Sequence, residues 1–299
     1  MHDAARSERG AGVTGSSPDA TPGIRFGSTS GLLDEAVALL EERPRSSAGL
    51  AREVLGVRAG PPALTLELVE ALLRDHPLAR MRDGVWHLAE PPSAKPIPLD
   101  RVPFTVVDVE TTGGVAEQGG RVVEVAAVRV EGGELLDVFS TLVNPDMPIT
   151  PWVVELTGIA DRMVRDAPRF EEICDALRER LEGRVFVAHN ASYDWRFLGS
   201  EMQRARAVLP RGPRVCTVQL ARRLLPGLQR RGLDSLARYY GVEIEERHRA
   251  RGDAIATALL LNHMLVGADR IGISTWSALH GWLSVRPGQW KPPEGGQAC

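Results

Sequence analysis

Lysine is almost missing from these 299 residues: Lys95 and Lys291 are its only lysines among 36 basic residues, against 39 acidic ones. The formal net charge of -3 excludes a histone-like or protamine-like protein. It leaves room for nucleic acid, because a local basic stripe is sufficient for that. Cysteine is scarce too. Cys174, Cys216 and Cys299 are odd in number and far apart, which excludes a disulfide framework and a Cys-x-x-Cys metal site. No apolar run approaches membrane-spanning length, and residues 1–30 lack a hydrophobic signal core. These absences predict a soluble, cytoplasmic protein with no membrane partner. What is present is ordinary: 43% hydrophobic and 25% charged residues allow a full core in one large domain with a small one, or in two medium ones.

The chain divides by composition. Residues 1–30 are Gly, Ser, Ala and Thr with few large apolar groups, and too little apolar surface to offset ordering entropy predicts a disordered tail. Residues 31–90 change character. Leu32, Leu33, Ala36, Val37 and Leu40 recur at helical spacing up to Pro44, and Ser46 and Ser47 can cap a second short helix that Gly56 would end. A third helix is predicted over 62–75, and Asp83-Gly84 marks a hairpin turn. Three helices and a hairpin give the order of a small winged-helix-like domain. Its seven arginines against ten acidic residues favour packing or partner binding over reading DNA. Residues 91–100 form a Pro-rich linker. Strands are predicted at 104–109, 122–130, 135–143, 184–188 and 214–216, with helices at 168–182, 193–206, 217–225, 233–240 and 252–266. This alternation indicates an α/β domain with a mixed sheet flanked by helices over 101–267, followed by a closing helix and a second disordered tail within 268–299.

Three groups of residues could carry chemistry. Asp108 and Glu110 stand two apart at the end of an apolar strand, so both carboxylates project from one face. Side by side they repel, and a divalent cation between them resolves the conflict; hard oxygen ligands suit Mg²⁺ or Mn²⁺. A solvated strand end is the bland alternative. Thr111, Thr112 and Gly113 follow in a turn able to present amides and hydroxyls to a bound group. Asp194 falls in the first turn of a helix, where it serves either a metal or the helix dipole, and Asn190 sits in the turn before it. His248 lies five residues before Asp253, which could cap the long Ala-rich helix or bind metal. A histidine beside a metal-bound carboxylate is suited to take a proton from water near neutral pH.

Together, in this order and on these elements, the motifs resemble the DEDDh branch of the DnaQ-like 3′→5′ exonucleases, the family of the proofreading epsilon subunit of bacterial DNA polymerase III. The resemblance covers about residues 101–267, and His248, where a sister branch carries tyrosine, decides the branch. The segment Leu156-Thr157-Gly158-Ile159 after a short helix is similar to the family's wedge against the terminal nucleotide. The resemblance implies a ribonuclease-H-like sheet and two Mg²⁺ or Mn²⁺ ions bound by Asp108, Glu110 and Asp253. Asp194 would contribute directly or through a water, with His248 as general base. It further implies substrate contacts from Thr111, Thr112, Leu156, Thr157, Asn190 and Arg249. Between 204 and 251 twelve arginines face four acidic residues, a stretch read as a phosphate track toward single-stranded DNA 3′ ends. Residues 31–90 are the expected docking module for a polymerase or repair complex, separable from hydrolysis. An exoribonuclease and a catalytically silent binding subunit remain the alternatives.

Overall fold

A computed structural model of the chain describes residues 22–27, 31–58, 60–74, 76, 78–89 and 96–285. In chain order it begins with strand β1 (Arg25–Gly27), helix α1 (Leu32–Glu42), β2 (Arg45–Ser46), α2 (Ser47–Val54), α3 (Pro62–Leu73), β3 (Ala79–Arg82) and β4 (Val85–Leu88). Then follow β5 (Phe104–Thr111), β6 (Val122–Glu131), β7 (Glu134–Leu142), α4 (Pro151–Thr157), α5 (Asp161–Val164), α6 (Phe170–Leu181), β8 (Val185–Ala188) and α7 (Ser192–Arg206). The remainder is β9 (Leu209–Arg211), β10 (Arg214–Cys216), α8 (Thr217–Leu224), α9 (Leu233–Tyr240), α10 (Ala250–Arg270) and α11 (Trp276–Ser284).

The main sheet runs β10-β8-β5-β6-β7, with β10, β8 and β5 parallel and β6 antiparallel to both its neighbours. Alternation along β5 feeds two cores. Val106 faces the helices α8 to α11 with Ala126, Val128, Ala254, Ala258 and Leu261. Val107 and Val109 face α6 and α7 with Val125, Ala127, Leu177 and Leu198. Alanines at 250, 254 and 258 bring α10 close to the sheet, and all three are fully buried. The predicted mixed α/β sheet flanked by helices is the observed one.

The amino-terminal unit holds three helices and a three-stranded sheet of order β2-β4-β3 around Ala36, Leu50, Val69 and Trp86. Ser46 caps α2, accepting from Gly49 N at 3.1 Å as its position predicts.

Two boundaries depart from the sequence reading. Residues 22–27, expected within the disordered tail, are part of the fold. β1 pairs antiparallel with β9, and Ile24 is fully buried between α6 and α7. Ile24 N donates to Arg184 O at 2.7 Å. One large apolar side chain and a paired backbone hold this segment where the flanking composition indicated none. The rest of that tail lies outside the described residues, as do 91–95 and 286–299. The second half of the linker is also structural: Leu99 is buried and its N–H donates to Ser274 O at 2.9 Å. Residues 31–90 pack against the larger α/β unit. Glu42 on α1 accepts from Arg214 and from Arg45, and the Arg214 guanidinium lies 4.5 Å from the Trp195 ring centroid. His280 Nε2 sits 3.2 Å from Glu42 O. Among the described residues no helix is long and apolar enough to cross a membrane.

Candidate active site

Pairing between β5 and β8 stops at Val106↔Val187, while β5 continues to Thr111 against β6. Beyond that point the backbone of β5 is open on the β8 side. The Asp194 carboxylate on α7 takes the freed donor, accepting from Val109 N at 3.2 Å. Tyr193, one residue earlier, shares a 2.7 Å hydrogen bond with Thr111 Oγ1. Two adjacent residues thus fasten the start of α7 to the carboxyl end of β5, the end at which open α/β sheets present ligands.

On the same strand end, Asp108 and Glu110 meet Asp253 from the first turn of α10. Ligand atoms from these three carboxylates lie within 4.8 Å of one another. Asp253 arrives there because the loop before α10 crosses directly over Gly252. A Cβ on Gly252 would fall 1.7 Å from the Glu245 carbonyl oxygen. Glu246 and His248 in that loop both adopt positive φ, 51° and 64°.

The electrostatics are those of negative charge crowded with only partial compensation. Burial raises Asp108 well above the ordinary carboxylate range, and Asp194, Asp253 and Glu110 add repulsion. Burial, then Asp253 and Glu124, push Glu110 up to about 8. Burial likewise raises Asp194 to about 7 and Asp253 to about 6. Asp253 Oδ1 is buried with no hydrogen-bond partner. An orphaned carboxylate oxygen facing two more carboxylates is a donor set for a divalent cation, so these residues fit one. The positive charge present is Arg247, whose guanidinium donates to Asp253 and, at 2.8 Å, to Asp234.

The structure sorts the residues expected at the site. Asp108, Glu110 and Asp253 come together; Asp194 stands behind them on the Val109 amide. His248 lies in the loop leading to Asp253, with Nδ1 3.2 Å from Arg247 Nη1. Leu156 is exposed on α4.

Four expected substrate contacts are otherwise engaged. Thr111 and Thr112 are buried, and their hydroxyls accept from Gly113 N at 3.2 Å and Arg121 N at 3.1 Å, so they brace the turn from within. Thr157 is buried too, donating to Val153 O and accepting from Ile159 N. Arg249 is paired with Glu124: Nη2 meets Glu124 Oε1 at 2.7 Å, and Nε lies 3.1 Å from Oε2. Asn190 is exposed in a left-handed turn (φ 71°) and accepts from Tyr193 N at 2.9 Å.

Glu124 was missed from the sequence, although a lone carboxylate inside the apolar run of β6 signals a buried partner. It is 3% exposed, lies opposite Glu110 across the β5–β6 pair, and also accepts from Ala250 N at 2.9 Å. Arg249 and Glu124 therefore seat the amino end of α10, and with it Asp253.

The family model of the RNase T exonucleases matches residues 105–261. DNA polymerase III of the PolC type is 38% identical in Bacillus subtilis over 176 residues, 58% of this chain and 12% of that protein. The PolC-type polymerase of Caldanaerobacter subterraneus subsp. tengcongensis is 36% identical over 183 residues, 61% of this chain and 13% of its own length. The chain thus spans about an eighth of these relatives. Escherichia coli exonuclease I in complex with a dA16 oligonucleotide has a similar fold, with a TM-score of 0.50 at 17% identity over 57% of this chain and 42% of that one.

Proposed function

Because the chain belongs to the RNase T exonuclease family, we propose that it is a metal-dependent 3′→5′ exonuclease releasing nucleoside 5′-monophosphates from single-stranded or frayed DNA ends, in replication proofreading or repair. The observation that carries this reading is the convergence of Asp108, Glu110 and Asp253 around the unpartnered Asp253 Oδ1. These three carboxylates, with Asp194 behind them, would hold two Mg²⁺ or Mn²⁺ ions. Bound there, the ions would supply charge stabilisation to the attacking and leaving oxygens of a phosphodiester.

The chain's own groups do the rest. His248 takes the proton of the attacking water, and for that its imidazole must be neutral. Burial, then the Arg247 charge, lower its pKa below the usual 6.5, so the base form prevails at neutral pH. The loop backbone helps to hold Asp253 in place, since Asp253 N donates to Arg249 O at 3.1 Å. The rate is expected to rise with pH through a midpoint below ~6.5. In His248→Asn that limb should vanish with a loss of about 100-fold or more. Asparagine tolerates the left-handed backbone of this position, which keeps the loop intact. An unchanged pH–rate profile in the variant would remove the histidine from the mechanism.

Sugar preference is tested by digesting DNA and RNA oligonucleotides of one sequence side by side and identifying the mononucleotides released. DNA is expected to be consumed faster; faster RNA consumption would make the protein an exoribonuclease on the same geometry. We read residues 31–90 as a winged-helix-like docking module for a polymerase or repair complex. Support comes from the exposed Leu32, Leu33, Leu64, Leu68 and Met81 on this acidic unit and from the polymerase context of the relatives.

A further inference from the structure

Arg247 is the charged side chain beside the carboxylates that the chemistry above leaves without a task. It stands in the loop before α10 between Glu246 and His248, both of which hold positive φ. Two left-handed residues without glycine are an uncommon backbone, kept only where surrounding contacts over-determine it. The contacts here run through the guanidinium. Its Nε and Nη2 donate side-on to the two oxygens of Asp234, in the first turn of α9, at 2.8 and 3.3 Å. Its Nη1 donates to Asp253 Oδ2. All three nitrogens therefore meet carboxylate oxygens, and the plane of the group is fixed from both sides.

Exposure falls along this series: the side chains of Asp234, Arg247 and Asp253 are 61%, 30% and 6% exposed. An ion pair as open to water as that of Asp234 with Arg247 contributes little to folding on its own. Its consequence lies at the buried end. With Oδ2 taken by Arg247, the Asp253 oxygen without a partner is Oδ1, the one left for a cation. A carboxylate free to rotate would have to be ordered as the cation binds, at a cost in affinity.

We propose that Arg247, clamped by Asp234, is a positioning residue: it fixes the Asp253 carboxylate so that Oδ1 faces Asp108 and Glu110 for the divalent cation. The inference rests on the exonuclease reading and names what holds the third ligand of its metal site in register. Lysine cannot take over this role. Its ammonium supplies the charge, but not two parallel donors for Asp234 and a third for Asp253 in one plane. Positioning and charge also predict opposite signs. A group acting only by its positive charge repels a metal ion, so its removal tightens metal binding; removal of a clamp loosens it.

The test is Mn²⁺ binding to the full chain without substrate, read from the electron paramagnetic resonance signal of the free ion. Arg247→Ala should weaken binding about tenfold or more, the scale for losing an outer partner of a metal ligand. Arg247→Lys should lose nearly as much. Asp234→Ala keeps Arg247 and every carboxylate of the cluster, so folding is not at stake, and it should weaken binding in the same direction. In the double variant Arg247→Ala with Asp234→Ala, the second change should add nothing, because Asp234 acts through the arginine. Tighter or unchanged binding in Arg247→Ala would overturn the clamp. So would wild-type affinity in Arg247→Lys, or an independent loss from Asp234 in the double variant. The two readings fail separately. A chain whose Mn²⁺ binding depends on Arg247 in this way yet hydrolyses nothing sinks the exonuclease. One that hydrolyses normally with Mn²⁺ affinity indifferent to Arg247 sinks the clamp.

Discussion

Asp108→Asn is expected to cut hydrolysis at least ~1000-fold and, in the metal-free protein at pH 8, to raise the melting temperature by about 3 °C. The two effects have one cause. Asp108 is half-sunk at the end of β5, where burial and then three neighbouring carboxylates oppose its ionisation. Folded-state pKa values above the unfolded ones mean that the folded protein binds more protons than the unfolded chain. The stability this supplies is complete below the ordinary carboxylate range and is lost as pH rises through about 6 for Asp253, 7 for Asp194 and 8 for Glu110. The metal-free wild type should therefore melt progressively lower between pH 5 and 9. Mg²⁺ or Mn²⁺ should recover that loss, and most strongly at the alkaline end. Neutral asparagine removes one of the crowded charges, so the variant gains stability without metal and gains less from adding it. Melting curves with and without chelator across this pH range test the idea. A wild-type melting temperature that is flat with pH and indifferent to metal would contradict it.

Arg249→Ala is expected to destabilise the protein by about 3 kcal/mol, the low end for breaking a buried ion pair, because Arg249 itself is partly exposed. Its removal leaves the Glu124 carboxylate buried beside Glu110 with only the Ala250 amide to answer it. The consequence should reach catalysis, since Glu124 seats the start of α10 and Asp253 lies three residues further on. Urea unfolding gives the stability and steady-state kinetics the activity. The double change Arg249→Met with Glu124→Leu should restore most of the stability, because both charges leave together. A double variant as unstable as the single one would locate the loss in packing rather than in the stranded carboxylate.

How much of this was legible in the sequence follows from the range of the forces involved. The strand carrying Asp108 and Glu110 reads directly from its β-branched run, and Ser46 and the Asp83-Gly84 turn act within a few residues of themselves. The long helix behind Asp253 shows in its apolar content. The Arg249–Glu124 pair does not, because its members lie 125 positions apart and only the packing of α10 against the sheet brings them together. That Thr111, Thr112 and Thr157 face inward was not legible for a related reason: a hydroxyl looks the same in sequence whether it meets a ligand or a backbone amide. Ile24 was lost in a small-residue tail, where a single isoleucine carries no periodicity.

The most direct measurement is the order in which a 5′-labelled single-stranded DNA shortens, with Mg²⁺ or Mn²⁺ and again with chelator. A ladder receding from the 3′ end that requires the metal is the expected result. Intact DNA and RNA after incubation with the folded, metal-supplied chain would contradict the account, as would shortening that survives the chelator.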